Sequence, residues 1–483
     1  MNKKNPDFIS TTNACKLCRP LGAVLAFRGV EGAVPYLHGS QGCATYMRRY
    51  IISHFNEPID IASSSLGEKN AIYGGGPNLK LGLQNVTTKY RPKLIGIGTT
   101  CLTETIGDDL PSLLAEYHRE FTAGDDAPPL LTRVSTPSYA GSHMEGFHGA
   151  VRALVEQLAV PPVNGQKSAG KEPSRAGVNL FPGLVSPADL RLLKDVLAEF
   201  NLPATVLPDF SDTLDGPALD DYPLIPAGGT EIAAIAQMGQ AAASLEFGRT
   251  IPAALSAADW LEKHHGVPRL RLGLPLGIRE TDRFMARLAE LANPEATPPR
   301  TPATAEGNHQ PPPLLPPRQA AARGRLLDAM VDGHKYLAGQ KAVVYGEEDL
   351  VVGLVALLAE LGVKPVLCAS GGKSGQLAAA VREVTAELLP DSPEVHEDCD
   401  FFDIAEQTRQ LQPDLLIGHS KGYSLARELE IPLIRVGFPI HDRMGGQRLL
   451  HLGYLGAQQL FDTLVNTVMA RKQDLSPVGY SYM

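Results

Sequence analysis

Four of the six cysteines fall between Cys15 and Cys101, in surroundings that suit metal chemistry. Cys15 and Cys18 lie in NACKLCRPLGA, Cys43 in HGSQGCATY and Cys101 in IGIGTTCLTETIGDD. Thiolates are soft ligands, suited to an iron–sulfur centre or another soft-metal site. The turns around Cys43 and Cys101 are rich in glycine and threonine and read as strand-to-helix junctions. In open α/β sheets such turns carry side chains to one sheet edge, where ligands bind. Any one of these cysteines could instead be a small buried hydrophobe. Three of them occupy polar, Gly-flanked turns rather than apolar runs, and that favours a site. Cys15 and Cys18 have the spacing of a redox or metal pair. No second C-x-x-C accompanies them, so a closed four-cysteine zinc site is not supported. One or both could complete a site with Cys43 and Cys101.

The neighbouring polar residues carry two readings each. His38 in HGSQGC could ligate a metal or hydrogen-bond a cluster sulfide; a histidine in such a turn more often satisfies backbone groups. Ser138 and Ser142, in TPSYAGSH, could line the same edge as Cys101. GIGTTC has the first two glycines of a dinucleotide-binding turn, with Cys101 in place of the third, so a metal ligand fits better than a pyrophosphate contact. SGGKS (370–374) lacks the first glycine of a phosphate-binding loop and reads as a plain strand-to-helix turn. His441, Asp442 and Arg443 either bind an anion or pin their turn through an Asp–Arg pair. Cys368 reads as core, and Cys399 is open.

These turns need a scaffold of alternating strands and helices. Strands are expected at 33–39, 58–64, 93–100 and 130–136, then at 178–183, 204–209 and 269–277, and finally at 341–346, 364–370, 413–420 and 432–439. Helices are expected from near Pro77, at 187–200, 230–246, 281–292 and about 453–472. The alternation argues for α/β architecture: three Rossmann-like, doubly wound domains with mainly parallel sheets. The boundaries expected are 1–165 for the cysteine-bearing domain, 176–292 for the second and 319–483 for the third. A polar stretch at 161–177 and a proline-rich one at 293–318 read as linkers.

Composition narrows the function. Hydrophobic residues make up 43% and charged residues 20% of 483, which marks a globular chain. A net charge of −9 without a basic run argues against nucleic acid. No apolar run is long enough to span a membrane, and the start lacks the apolar core of a signal peptide. Six cysteines in such a chain suit a reducing cytoplasm.

Taken together, CRPLGAVLAF, PYLHGSQGCATY, SHFNEPIDIASSS, GGGPNLKLGLQN, IGTTCLTETIGDDL, TPSYAGSH, AGGT and PLIRVGFPIHDR resemble the β-type chains of the nitrogenase component 1 family. The resemblance runs in order from about residue 13 to 470. It implies three Rossmann-like domains and a heterotetramer of two α-type and two β-type chains, served by the nitrogenase iron protein. Cys18, Cys43 and Cys101 match the β-side cysteines that hold the P-cluster in the catalytic branch, and Ser138 matches a serine that can join them. VLPDFSDTLDGP (206–217) and the segment from His419 to Tyr454 look more like the NifN-type branch, which works in iron–molybdenum cofactor assembly rather than substrate reduction. That branch implies a NifE-like α-type partner, which holds most of the cofactor precursor. It also implies an iron–sulfur cluster, 4Fe–4S or P-cluster-like, shared between the two chains. The resemblance assigns no role to Cys15. A catalytic β subunit of a nitrogenase or nitrogenase-like reductase is the first alternative, and an unrelated nucleotide-binding α/β enzyme the second.

Overall fold

The computed structural model describes residues 14–121, 128–161, 177–293 and 315–478. All but the ends of both expected linkers lie outside the described residues. Thirteen strands form three sheets among the described residues, and every pairing in them is parallel.

The first sheet has the order β2-β1-β3-β4, from β1 (Ala33–His38), β2 (Ala62–Ser63), β3 (Leu94–Thr99) and β4 (Leu130–Val134). The second has the order β6-β5-β7-β8, from β5 (Val178–Phe181), β6 (Ala204–Val206), β7 (Ala243–Phe247) and β8 (Arg269–Leu272). The third has the order β11-β10-β9-β12-β13, from β9 (Lys341–Tyr345), β10 (Lys364–Ala369), β11 (Glu394–His396), β12 (Leu415–Gly418) and β13 (Leu433–Arg435). Central strands such as AVPYLH and LIGIGT are buried along their whole length, as expected for parallel sheets covered on both faces. No helix among the described residues is long and apolar enough to cross a membrane.

Two expectations fail locally. The helix expected at 230–246 is only Ile232–Gln237 followed by a short 3-10 turn, and its last part is β7 in the middle of the second sheet. The alanines there have high helix propensity, but pairing with β5 and β8 outweighs it. Glu246, fully buried in β7, survives because Arg269 reaches it at 2.7 Å and the Ser256 hydroxyl donates at 2.8 and 2.7 Å. The strand expected at 58–64 shrinks to the two residues of β2.

The helix Arg19–Arg28 is buried on every side, which explains its continuous apolar run. It lies between the first sheet and the helix His143–Leu158. A Cβ at Gly96 would stand 2.2 Å from the Phe27 ring. The first glycine of GIGTTC therefore admits this helix onto β3.

The second and third sheets are tied through backbone groups. The Asp349 carboxylate accepts the N–H groups of Arg249 and Thr250 at 2.6 and 3.0 Å. Glu360 accepts those of Ile278 and Arg279, both at 2.8 Å, at the start of the helix Gly277–Ala292. Burial nevertheless pushes the Glu360 carboxyl up to about 7, against the pull of those two donors. The folded chain then holds this proton more tightly than the unfolded one, whose reference value is 4.5. Stability from this group is fully present below that value and is lost as pH rises through about 7, a change of about 3 kcal/mol. Glu360→Gln should therefore flatten the decline of the thermal midpoint over that interval; an unchanged slope would exclude Glu360 as its source.

Candidate functional site

The carboxyl ends of β1, β3 and β4 open onto one edge of the first sheet, with His38 in register with Thr99 and Gly98 with Val134. Each strand leads through a polar turn into a helical segment. After β1, the Ser40 hydroxyl accepts the Gly42 N–H at 3.3 Å and caps the helix Gln41–Phe55, so Cys43 stands in its first turn. After β3, Thr100 and Thr103 form a capping box, and Cys101 is the first residue of the helix Cys101–Ile106. After β4, the turn Ser138–Ala140 brings the Ser138 N–H onto the Cys101 sulfur at 3.2 Å.

Cys18 comes from a different direction. It stands at the N-cap position of the helix Arg19–Arg28 and pairs with Ser142 in an isolated antiparallel bridge. The His143 N–H donates to the Leu17 carbonyl at 3.0 Å, and the Leu17 N–H donates to His143 Nδ1 at 3.3 Å. Cys18, Cys43 and Cys101 are all half-buried. Burial, followed by the nearby sulfurs of Cys18 and Cys101, pushes the Cys43 thiol up. The Cys43 sulfur is thus close enough to those of Cys18 and Cys101 to feel both.

The donor set fits an iron–sulfur cluster. All three cysteines occur where a helix begins. A cationic centre would offset the burial and the neighbouring sulfurs that push the Cys43 thiol up. Among the described residues no three His, Cys, Asp or Glu side chains are placed to hold a single metal ion.

Cys15 does not join this edge. It is 3% exposed and clusters with Tyr345, Cys399 and Phe401 over the third sheet, with its sulfur 3.8 Å from His419 Nε2. Burial raises its thiol far above the ordinary range. Ala14 bridges Asp400, and Lys421 donates to the Ala14 carbonyl at 2.9 Å. The two cysteines of CKLC therefore serve different sheets. Cys399 is buried and donates to the Ser370 carbonyl at 3.1 Å, while Cys368 lies in the core as expected.

Other turns resolve into structural roles. His38 is fully buried, with Nδ1 3.0 Å from the Ser64 hydroxyl and Nε2 3.1 Å from Asp108, so neither nitrogen faces the cysteines. Ser142 caps the helix His143–Leu158 in a capping box with Glu145. In SGGKS, Glu348 accepts the Ser374 N–H at 3.0 Å, and Glu397 accepts those of Gly375 and Leu377 at 2.9 Å each. Carboxylates occupy donors that a phosphate would need. Asp442 does pin its turn, but its main partner is Arg435, at 2.9 and 2.6 Å, rather than Arg443. Arg435, Asp108 and Ser64 carry no motif that marks them as partners of these turns. The GDD run after Cys101 was the only local signal for Asp108.

Large apolar side chains are exposed in this part of the chain: Ile72 at 78%, Tyr73 at 84% and Tyr139 at 69%.

Comparison with known proteins places this geometry. The family described as nitrogenase component 1 type oxidoreductase matches residues 18–469. The nitrogenase molybdenum–iron protein beta chain of Clostridium pasteurianum is 34% identical, over 95% of this chain and 93% of that protein. The corresponding chain of Azotobacter vinelandii is 33% identical, over 95% of this chain and 84% of its own length. The solved structure described as nitrogenase Cp1 at pH 6.5 superposes with a TM-score of 0.87 at 31% identity, covering 100% of this chain and 98% of that one. A chain from the structure at pH 5 shares the fold, with a TM-score of 0.67 at 15% identity. With the cysteine turns on one edge of a parallel sheet and the match running through nearly every strand, the chain belongs to the nitrogenase component 1 family, as a member of its β-chain type.

Proposed function

We propose that this chain is a β-type subunit that shares an iron–sulfur cluster with a NifE-like α-type partner, in a complex that matures the iron–molybdenum cofactor. The reading is carried by three cysteines that each stand at a helix start, Cys18, Cys43 and Cys101, with Cys43 near enough to the other two to feel their sulfurs. Three thiols do not fill the coordination of a cluster by themselves, so further ligands would come from the partner chain. An iron–sulfur cluster held there would carry single electrons. The chain's own part is to fix the thiols, donate the Ser138 N–H to the Cys101 sulfur and exclude solvent behind Cys43. Electrons would come from the nitrogenase iron protein, for which exposed Ile72 and Tyr73 offer apolar contact. The assembly role is supported by VLPDFSDTLDGP and by the segment from His419 to Tyr454.

A second reading, a catalytic β subunit with a P-cluster, draws on the presence of all three cysteines together with Ser138 beside Cys101. It also draws on the relatives, which are molybdenum–iron protein beta chains. Iron quantitation with electron paramagnetic resonance on the purified complex separates the two. A single 4Fe–4S cluster per α–β pair, with no eight-iron signal on oxidation, supports assembly; an oxidised eight-iron signal overturns it in favour of catalysis.

Cys15 provides an internal control. Cys15→Ala should retain the full iron of the parent complex while losing about 1–2 kcal/mol of stability to a small cavity beside Tyr345. Loss of iron at unchanged stability would return Cys15 to the ligand set.

A further inference from the structure

We propose that the cavity between Arg28, Ile59 and the loop 209–230 binds an organic monocarboxylate, a small molecule with one carboxylate for Arg28 and an apolar body for the loop. The site lies at the opposite end of the helix Arg19–Arg28 from Cys18, and no step of the argument uses the cluster.

Hydrogen bonds around the end of that helix build the cavity. Arg28 is its last residue, where a cation suits the helix dipole. The next carbonyl, that of Gly29, accepts two N–H groups, from Asp209 at 3.0 Å and Thr230 at 2.9 Å. The loop 209–230 therefore leaves and returns at one point. Within it, the Thr213 hydroxyl donates to the Arg28 carbonyl at 2.8 Å. Compact loops closed at their ends in this way are frequently functional. The space left between loop and helix is ≈ 540 Å³. Small-molecule sites span about 300–1,000 Å³. Much of the lining is apolar, with Ile59, Pro217, Leu219, Tyr222 and Leu224 on the walls. Leu219, Tyr222 and Leu224 are 44%, 59% and 56% exposed, so the loop side of the cavity has apolar surface still to bury.

Arg28 gives the cavity its preference. It is 4% exposed, yet its Nε has no hydrogen-bond partner among the described residues. Three carboxylates share the cavity wall, those of Glu57, Asp60 and Asp212. Two of them are engaged elsewhere. Asp60 accepts the Tyr90 hydroxyl at 2.7 Å and lies 3.6 Å from Arg48, and Asp212 lies 3.7 Å from Arg191. Burial lowers the Arg28 guanidinium to about 10, against the through-space pull of Asp60 and Glu57, so it is charged at neutral pH. A buried charge without a bonded partner is costly to the fold. A carboxylate entering the cavity supplies the missing acceptor in a charge-assisted pair, which suits guanidinium geometry. A second carboxylate on the same ligand would meet the three acidic side chains. The wall thus selects a single carboxylate over two, and a carboxylate over an alcohol.

The test titrates hexanoate, hexanol and adipate into the full complex with its α-type partner and reads binding by calorimetry. Hexanoate should bind about tenfold tighter than either of the others, the scale of one charge-assisted hydrogen bond. Arg28→Met should erase the preference over hexanol. It should also keep the parental iron and hold or raise the thermal midpoint, since it removes an unpaired buried charge. Leu219→Asp, at an exposed position on the wall, should weaken hexanoate about tenfold by adding a like charge, with the fold intact. Absence of saturable hexanoate binding to the parent complex overturns the proposal, as does equal affinity for hexanoate and hexanol. Unchanged hexanoate affinity in both variants overturns it too. A lowered midpoint in Arg28→Met would make the guanidinium a structural group and have the same consequence. Iron content reports on the cluster reading alone, so the two can fail independently.

Discussion

Cys43→Ala is expected to strip the shared cluster from the complex, with loss of its iron and its paramagnetic signal. The Cys43 thiol feels the sulfurs of both Cys18 and Cys101. It is also the best supported of the three by its element, standing in the first turn of a helix of 15 residues that is capped by Ser40. Loss of an outer-shell partner costs roughly 10–100-fold in metal affinity. Loss of a direct ligand should exceed that and leave binding undetectable. The fold itself should be little affected, because Cys43 is half-buried on a helix flank and a surface-side truncation costs about 1 kcal/mol or less. Iron and signal are measured together with far-ultraviolet circular dichroism. A folded variant that keeps all its iron would remove Cys43 from the ligand set and the shared-cluster reading with it.

Gly22→Ala should be the most damaging single methyl addition near the site. The helices Arg19–Arg28 and His143–Leu158 cross in backbone contact. A Cβ on Gly22 would lie 1.7 Å from the His143 carbonyl oxygen, and one on Gly146 would lie 1.8 Å from the Arg19 carbonyl oxygen. Both obstacles are backbone atoms, so no side-chain rotation can relieve them. Ordinary overpacking costs about 1–3 kcal/mol. A reciprocal backbone clash should reach about 4 kcal/mol or more, in the range reserved for severe defects. The effect should also reach the cluster edge, because Cys18 immediately precedes this helix and its bridge to Ser142 immediately precedes the other. Gly22→Ala and Gly146→Ala are therefore expected to lower the first thermal transition and the iron content together. A variant with parental iron and an unchanged transition would show that the crossing can spread at no cost.

Much of this architecture was legible in the residues. Parallel strands announced themselves as short apolar runs, since burial on both faces removes the alternation of a half-exposed strand. AVPYLH, LIGIGT and KAVVY were found for that reason. The residues after them, Ser40 and Thr100, are good helix caps, so the positions of Cys43 and Cys101 at helix starts followed from local chemistry. β7 and β11 were hidden for opposite reasons. The first begins among alanines and contains a glutamate that Arg269 and Ser256 make tolerable. The second is a three-residue edge strand, too short to show a period.

The family resemblance, the parallel α/β class and three thiols in turns of the right kind can all be read along the chain. Side-chain spacing and capping are local properties, and they survive in the linear order of the chain. Which sheet each cysteine serves depends instead on contacts between residues far apart in the chain. Cys15 and Cys18 are three positions apart, yet one is held by His419 and Cys399 over the third sheet while the other is drawn to Ser142 at the edge of the first. That division depends on contacts such as the Lys421 hold on the Ala14 carbonyl and the Gly22–Gly146 crossing, between residues more than a hundred positions apart. The same holds for His38, whose partners Ser64 and Asp108 are brought to it by two different turns. Nothing in HGSQGC distinguishes a ligand from a structural histidine until those turns are placed.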